Sequence, residues 1–244
     1  MKTVRILFFA LIMLAITPMI AQTADEIIDN YIENTGGADA WNALTGTKMS
    51  GSATNAGMTI PVDIINMKDG KTMITIDLQG QKMTQLAFDG ETMWTFNFIT
   101  MQPEKDDTET TENMKANLGN FPTPFLNYKE KGYSVELLGK ETKDGIETFK
   151  IQLTQNPVMI NGVEEPSITY YYFDTETFIP IMSESPINAG PMKGQMSTQT
   201  FSEYQEVGGL YFPFLMTMTG QTITLKEIVL NPEIDMSLFS FPGE

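Results

Sequence analysis

The chain has 244 residues, with 15 Lys+Arg against 31 Asp+Glu, no His and no Cys. The missing His and Cys exclude a Ser-His-Asp triad, a cysteine nucleophile, imidazole or thiolate metal sites, and disulfides. A formal charge of −16 argues against nucleic acid, whose binding rests on Lys and Arg neutralising phosphates.

Lys2 and Arg5 precede an apolar run, residues 6–16, followed by Pro18 and Ala21. This is the pattern of a secretory signal peptide, with cleavage expected after Ala21; the run is too short to span a bilayer as a helix. With no Cys to carry a lipid, the expected product is a free exported chain that starts at Gln22. It is long enough to bury a core without disulfides.

Residues 23–34 predict an amphipathic helix. Thr23 and Glu26 have capping-box spacing, and Ile27, Ile28, Tyr31 and Ile32 form one stripe. Gly36-Gly37 ends it. A second short helix is expected over residues 38–44, with Trp41 and Leu44 on one face. The period then changes to two. Ile60, Val62 and Ile64 alternate with Thr59, Pro61, Asp63 and Ile65, Ile74, Ile76 and Leu78 with Met73, Thr75 and Asp77, and Phe96 and Phe98 continue the face of Trp94. Asp69-Gly70, Gln79-Gly80 and Asp89-Gly90 punctuate these runs every ten residues, which predicts an antiparallel meander.

The run of Glu104, Asp106, Asp107, Glu109 and Glu112 lacks the spacing of a calcium loop and reads as a solvated loop. A short helix is expected over residues 111–118. Strand patterns resume near 133–138, 148–153, 168–173, 178–183, 195–204, 210–218 and 221–230. These strands follow one another without a linker. They predict one unit over residues 22–244, mainly β, built as a large antiparallel, strongly curved sheet or open barrel with helices packed on it.

Several apolar sets have two uses. Methionines number 18, and many fall in strands; they fill cores and also line surfaces that accept varied apolar guests. Tyr170, Tyr171, Tyr172 and Phe173 place aromatics on both faces of one strand. Leu210, Phe212, Phe214, Met216 and Met218 form one continuous apolar face. Core burial and cavity lining both account for them. Carboxylate pairs drawn from Asp63, Asp77, Asp89 and Glu91 are unspecific in so acidic a chain, and an enzyme is not expected.

Read together, the motifs resemble a known group. Ala24 to Ile28 with Tyr31, Gly36-Gly37 and Trp41 come first. Ala87-Phe88-Asp89-Gly90 with Trp94 follows, then Tyr171-Tyr172-Phe173-Asp174 with Phe178 and Pro180. Phe201 to Tyr204, Gly208-Gly209, Phe212-Pro213, Asn231-Pro232 and Phe241-Pro242 complete the series. Their order resembles the outer-membrane lipoprotein-sorting proteins, the LolA/LolB-like family, most of all its Bacteroidetes-type branch. That resemblance implies an incomplete antiparallel barrel of about eleven strands, with helices as a lid over an apolar cavity.

It also implies a periplasmic, non-catalytic carrier for the acyl chains of lipoproteins, expected to be monomeric and to need no cofactor. An inner-membrane release complex and an outer-membrane acceptor would be its partners. The alternative on the same fold is an envelope sensor or interaction protein that binds another apolar ligand. Ile28, Tyr31 and Ile32 are expected to line the lid. Ile60, Val62, Ile74, Ile76, Trp94, Phe96, Tyr172, Phe212 and Phe214 are expected to line the sheet. Carriers of this group hold the lid with an arginine on the sheet. Arg5 is the only arginine here, so the lid would be held by Lys48, Lys71 or Lys82, or by apolar contact alone.

Overall fold

The computed structural model describes residues 22–188 and 191–243, so the expected signal peptide lies outside the described residues. The first helix, α1 (Ala24–Asn34), starts at Thr23 with the reciprocal capping box. The Glu26 amide donates to Thr23 Oγ1 at 3.2 Å and the Thr23 amide donates to Glu26 Oε2 at 2.8 Å. Its stripe of Ile27, Ile28, Tyr31 and Ile32 is buried. Gly36 ends it at a positive φ of 126°, where a side chain would also collide with the Gly209 carbonyl. The second helix, α2 (Ala38–Asn42), is one turn long and buries Trp41.

Thirteen strands follow: β1 (Gly46–Asn55), β2 (Met58–Met67), β3 (Thr72–Leu78), β4 (Gln81–Phe88), β5 (Met93–Asn97), β6 (Gln102–Lys105), β7 (Ser134–Lys143), β8 (Ile146–Ile160), β9 (Val163–Asp174), β10 (Pro180–Pro186), β11 (Met196–Val207), β12 (Leu210–Met218) and β13 (Gln221–Leu230). They pair in one antiparallel sheet with the order β6-β5-β4-β3-β2-β1-β13-β12-β11-β10-β9-β8-β7. The meander expected from the ten-residue glycine spacing is the β2–β5 run. Only β1 against β13 joins distant parts of the chain. The sheet curves into an open barrel that leaves β6 and β7 as its two edges.

A third helix, α3 (Thr108–Ala116), straps that gap. Asn113 exchanges two hydrogen bonds with the Met159 backbone on β8, each 2.7 Å. The Glu109 carboxylate accepts from the amides of Asn161 and Gly162. On the other side, Lys115 lies 3.4 Å from Glu91 in the β4–β5 turn. The acidic run expected to be a solvated loop is therefore folded. Glu104 accepts from Asn97 and Thr100, and Asp107 caps α3. The segment 102–105 is the edge strand β6, whose shortness, Pro103 and charges discourage pairing with another chain.

Two apolar cores flank the sheet. The larger lies on the concave face, beneath α1, α2 and residues 121–128, and includes Ile28, Tyr31, Ile32, Trp41, Phe125, Phe173, Phe212 and Phe214. The smaller lies on the convex face, where the C-terminal segment packs Phe239 and Phe241 against Ile65, Met73, Ala87 and Trp94.

Candidate functional site: two cavities on one concave face

Strand register assigns the faces. Thr47, Met49, Gly51 and Ala53 of β1 pair with Asn66, Ile64, Val62 and Ile60 of β2, and Val62 and Ile64 pair with Ile76 and Ile74 of β3. Paired residues share a face because side chains alternate along a strand. This concave face holds two cavities in succession.

The inner cavity, about 240 Å³, lies beside the helices. Tyr31 reaches it from α1 and Trp41 from α2, while Tyr171, Tyr204 and Phe212 form the opposite wall. Residues 121–125, Phe-Pro-Thr-Pro-Phe, close one side. Edge-to-face contacts stiffen the enclosure, with Tyr31 to Phe173 at 5.6 Å and Trp41 to Phe212 at 5.1 Å. Burial raises the phenols of Tyr31, Tyr171 and Tyr204 above their ordinary range, so all three stay neutral. Tyr204 donates to the Pro180 carbonyl at 2.8 Å. Thr47 Oγ1 is different: it is buried on the cavity wall without a hydrogen-bond partner.

The outer cavity is larger, about 610 Å³. Its floor is Ile60, Val62, Ile64, Ile74, Ile76 and Leu86, with Phe96 and Phe98 on one side and Met218 and Ile223 on the other. Among the described residues no charged side chain lines either cavity, although the chain carries 46 of them. Such a surface disfavours an ion, which would lose its hydration there without a partner.

The residues expected from sequence distribute unevenly. Ile60, Val62, Ile74, Ile76 and Phe96 line the outer cavity, and Tyr31 and Phe212 line the inner one. Ile28, Ile32 and Phe214 lie in the concave core beside them. Trp94 and Tyr172, expected on the cavity wall, face the other way. Trp94 pairs with Ala87 on the convex face, packs beneath the C-terminal segment and donates to the Phe239 carbonyl at 3.0 Å. Tyr172 pairs with Met182, donates to Glu184 at 2.6 Å and lies under the Lys143 ammonium. The reason is alternation: within the Tyr170–Tyr172 run only Tyr171 points inward, and sequence does not say which parity does. Thr47 and Met49 went unpredicted, because β1 (Gly-Thr-Lys-Met-Ser-Gly-Ser-Ala-Thr-Asn) has no apolar alternation.

The hold on the helices also differs from expectation. Lys71 pairs with Asp69 and Lys82 with Asp63, while Lys48 follows the inward-facing Thr47 and so lies on the convex side. Lys129 instead pairs with Asp25 of α1, and Lys68 Nζ donates to the Asn42 carbonyl of α2 at 2.8 Å.

No protein-family model matches the chain, and no curated protein matches it. Solved structures do. A LolA superfamily protein from Nitrosomonas europaea superposes with a TM-score of 0.54 at 14% identity, over 90% of this chain and 98% of that one. A DUF1329 family protein from Desulfovibrio piger gives 0.55 at 13% identity, over 90% and 98%. A Vibrio parahaemolyticus domain named for outer membrane lipoprotein sorting gives 0.54 at 14% identity, over 88% and 95%. At these identities the likeness is one of fold: the open barrel is LolA-like.

Proposed function

We propose that this chain is a periplasmic carrier that shields the acyl chains of lipoproteins on their way to the outer membrane. It acts as one unit over residues 22–244 after its leader is removed near Ala21, works as a monomer and catalyses no reaction. One observation carries this reading: two cavities without charged lining residues lie in line on one concave face, one beside the helices and one beyond them. The fold it shares with a LolA superfamily protein and a lipoprotein-sorting domain supports it.

The physics suits reversible carriage. Burying an acyl chain gains about 0.8 kcal/mol per CH₂, so a carrier must give part of that back to release its load. Here α1 and residues 121–125 border the inner cavity, and any parting of their packed apolar faces to seat a guest would oppose the gain on binding. Thr47 Oγ1 offers a hydrogen bond to the ester or amide carbonyl of a seated acyl group, which would satisfy an otherwise unpaired hydroxyl.

Binding of a fluorescent fatty acid tests the reading. The expected result is saturable uptake, displaced by acylated lipoprotein and not by its deacylated form. No uptake of the probe, together with protein that carries no lipid in native mass spectra, overturns it. Uptake without displacement by lipoprotein would instead favour a sensor for another apolar ligand.

A further inference from the structure

The outer cavity opens at one end of the barrel, and the turns around that opening share an unusual composition. Asn55 pairs with Met58 across the β1–β2 turn and with Gln221 at the start of β13. Leu78 pairs with Gln81 across the β3–β4 turn, and Asn97 with Gln102 across the β5–β6 turn. Asn55, Leu78, Phe98 and Met218 all line the outer cavity, so the β1–β2, β3–β4, β5–β6 and β12–β13 turns form one rim.

The turn tips themselves carry no charge, and the acids behind them, Asp77 and Glu104, accept hydrogen bonds from Gly80 and from Asn97 and Thr100. Residues 55–58, 79–81, 97–102 and 218–221 contain no Asp, Glu, Lys or Arg. At the opposite ends of the same strands the turns are Lys68-Asp69-Gly70-Lys71 and Asp89-Gly90-Glu91. The turn tips also project their apolar side chains outward: Ile99 is 94% exposed, Met58 64% and Met101 62%. Single exposed apolar residues are ordinary, but several on turns around one apolar cavity mark a surface that meets an apolar phase.

We propose that this rim docks on a lipid bilayer, with Met58, Ile99 and Met101 entering the boundary between headgroups and acyl chains. A bilayer fits better than a protein partner. The apolar side chains stand on two turns, Met58 on β1–β2 and Ile99 and Met101 on β5–β6, among Asn, Thr and Gln, a mixture suited to the headgroup boundary. A protein interface would be expected to offer a contiguous packed centre with aromatic or Arg anchors. The net charge of −16 disfavours an anionic surface, so the neutral turn tips select zwitterionic lipid. Docking there also sets the open cavity against the acyl layer. It does not require the carrier reading.

Flotation with phosphatidylcholine vesicles tests the proposal. The intact protein is expected to co-float, and to do so less with vesicles enriched in phosphatidylglycerol. Replacing Ile99 and Met101 by Asp should lower vesicle partition about tenfold or more, whereas Glu206→Gln, outside the rim turns, should leave it unchanged. Ile99 makes few contacts in the fold, so Ile99→Trp gives a second measurement: its fluorescence should be quenched by brominated phosphatidylcholine. No co-flotation overturns the proposal, as does binding confined to anionic vesicles, binding indifferent to the double substitution, or a rim that captures a protein but no vesicle. Fatty-acid uptake measured without vesicles reads the carrier function separately. Protein that floats but never takes up the probe leaves docking standing and ends the carrier reading.

Discussion

The carboxylate of Asp25, in the first turn of α1, lies 2.5 Å from the ammonium of Lys129 and also accepts from the Tyr128 hydroxyl. This contact latches the roofing helix to the segment that includes the wall of the inner cavity. The hydrogen bond from Lys129, followed by that from Tyr128, holds the Asp25 carboxyl below its ordinary value of 3.8. Burial, reinforced by Asp25, pushes the Tyr128 phenol up to about 12.

Asp25→Asn should therefore loosen the roof rather than unfold the protein. Exposed ion pairs contribute only about 0–1 kcal/mol. Thermal stability should fall little, while amide exchange in α1 and release of a bound fatty-acid probe should quicken. The sign with pH follows from the lowered value: the latch contributes fully above 3.8 and is lost as pH falls through the lower folded value. Probe release measured from pH 6 downward should accelerate in the intact protein only below 3.8 and stay flatter in Asp25→Asn, the two converging once pH falls below the lowered folded value.

Lys131 has the opposite character. Burial alone lowers its ammonium to about 8, with Nζ donating to the Thr123 carbonyl at 3.1 Å. The folded state releases this proton at lower pH than the unfolded chain, whose ordinary value is 10.5. Stability from this group should rise as pH goes from about 8 towards 10.5. Denaturant midpoints across that window should climb more in the intact protein than in Lys131→Met; parallel curves would contradict the assignment.

Ile74 lines the outer cavity while remaining half-buried, so it reports on ligand contact with less risk to the fold than the buried Ile76. Ile74→Asp puts a carboxylate where an acyl chain would lie. Losing roughly 1.5–3 kcal/mol of apolar contact should weaken fatty-acid binding about tenfold or more. Circular dichroism should remain that of the intact protein. Unchanged affinity would place the guest elsewhere.

Phe239 is fully buried on the convex face and its carbonyl receives the Trp94 indole. Phe239→Ala should cost about 3–5 kcal/mol, shift Trp94 emission to longer wavelength and leave probe affinity for the remaining folded protein unchanged. A loss of affinity at constant fold would show that the tail communicates with the concave face.

Local patterns made much of the fold legible. The capping box and the stripe of α1, the turn glycines of the meander and the alternation of β2 and β3 are short-range signals, and each corresponds to an element. β1 left no such trace. Its small, polar residues form a strand because β2 and β13 hydrogen-bond to it from both sides, which only the assembled sheet provides. β6 was hidden for the same reason, while the helix expected over residues 111–118 is α3, which begins earlier, at Thr108. An acidic stretch becomes a strap because Glu109 and Asn113 find backbone groups in the β8–β9 turn and on β8.

The candidate site divides along the same line. Sequence by itself determined that the strands carry apolar side chains in excess and that no His or Cys chemistry is open to the chain. The tertiary structure alone decided which apolar side chains face the cavities. Alternation distinguishes two faces of a strand but not inside from outside when both are covered. Here the helices roof one face and the C-terminal segment covers part of the other, so Tyr171 and Tyr172, or Trp94 and Thr95, are told apart only by the packing that each side receives.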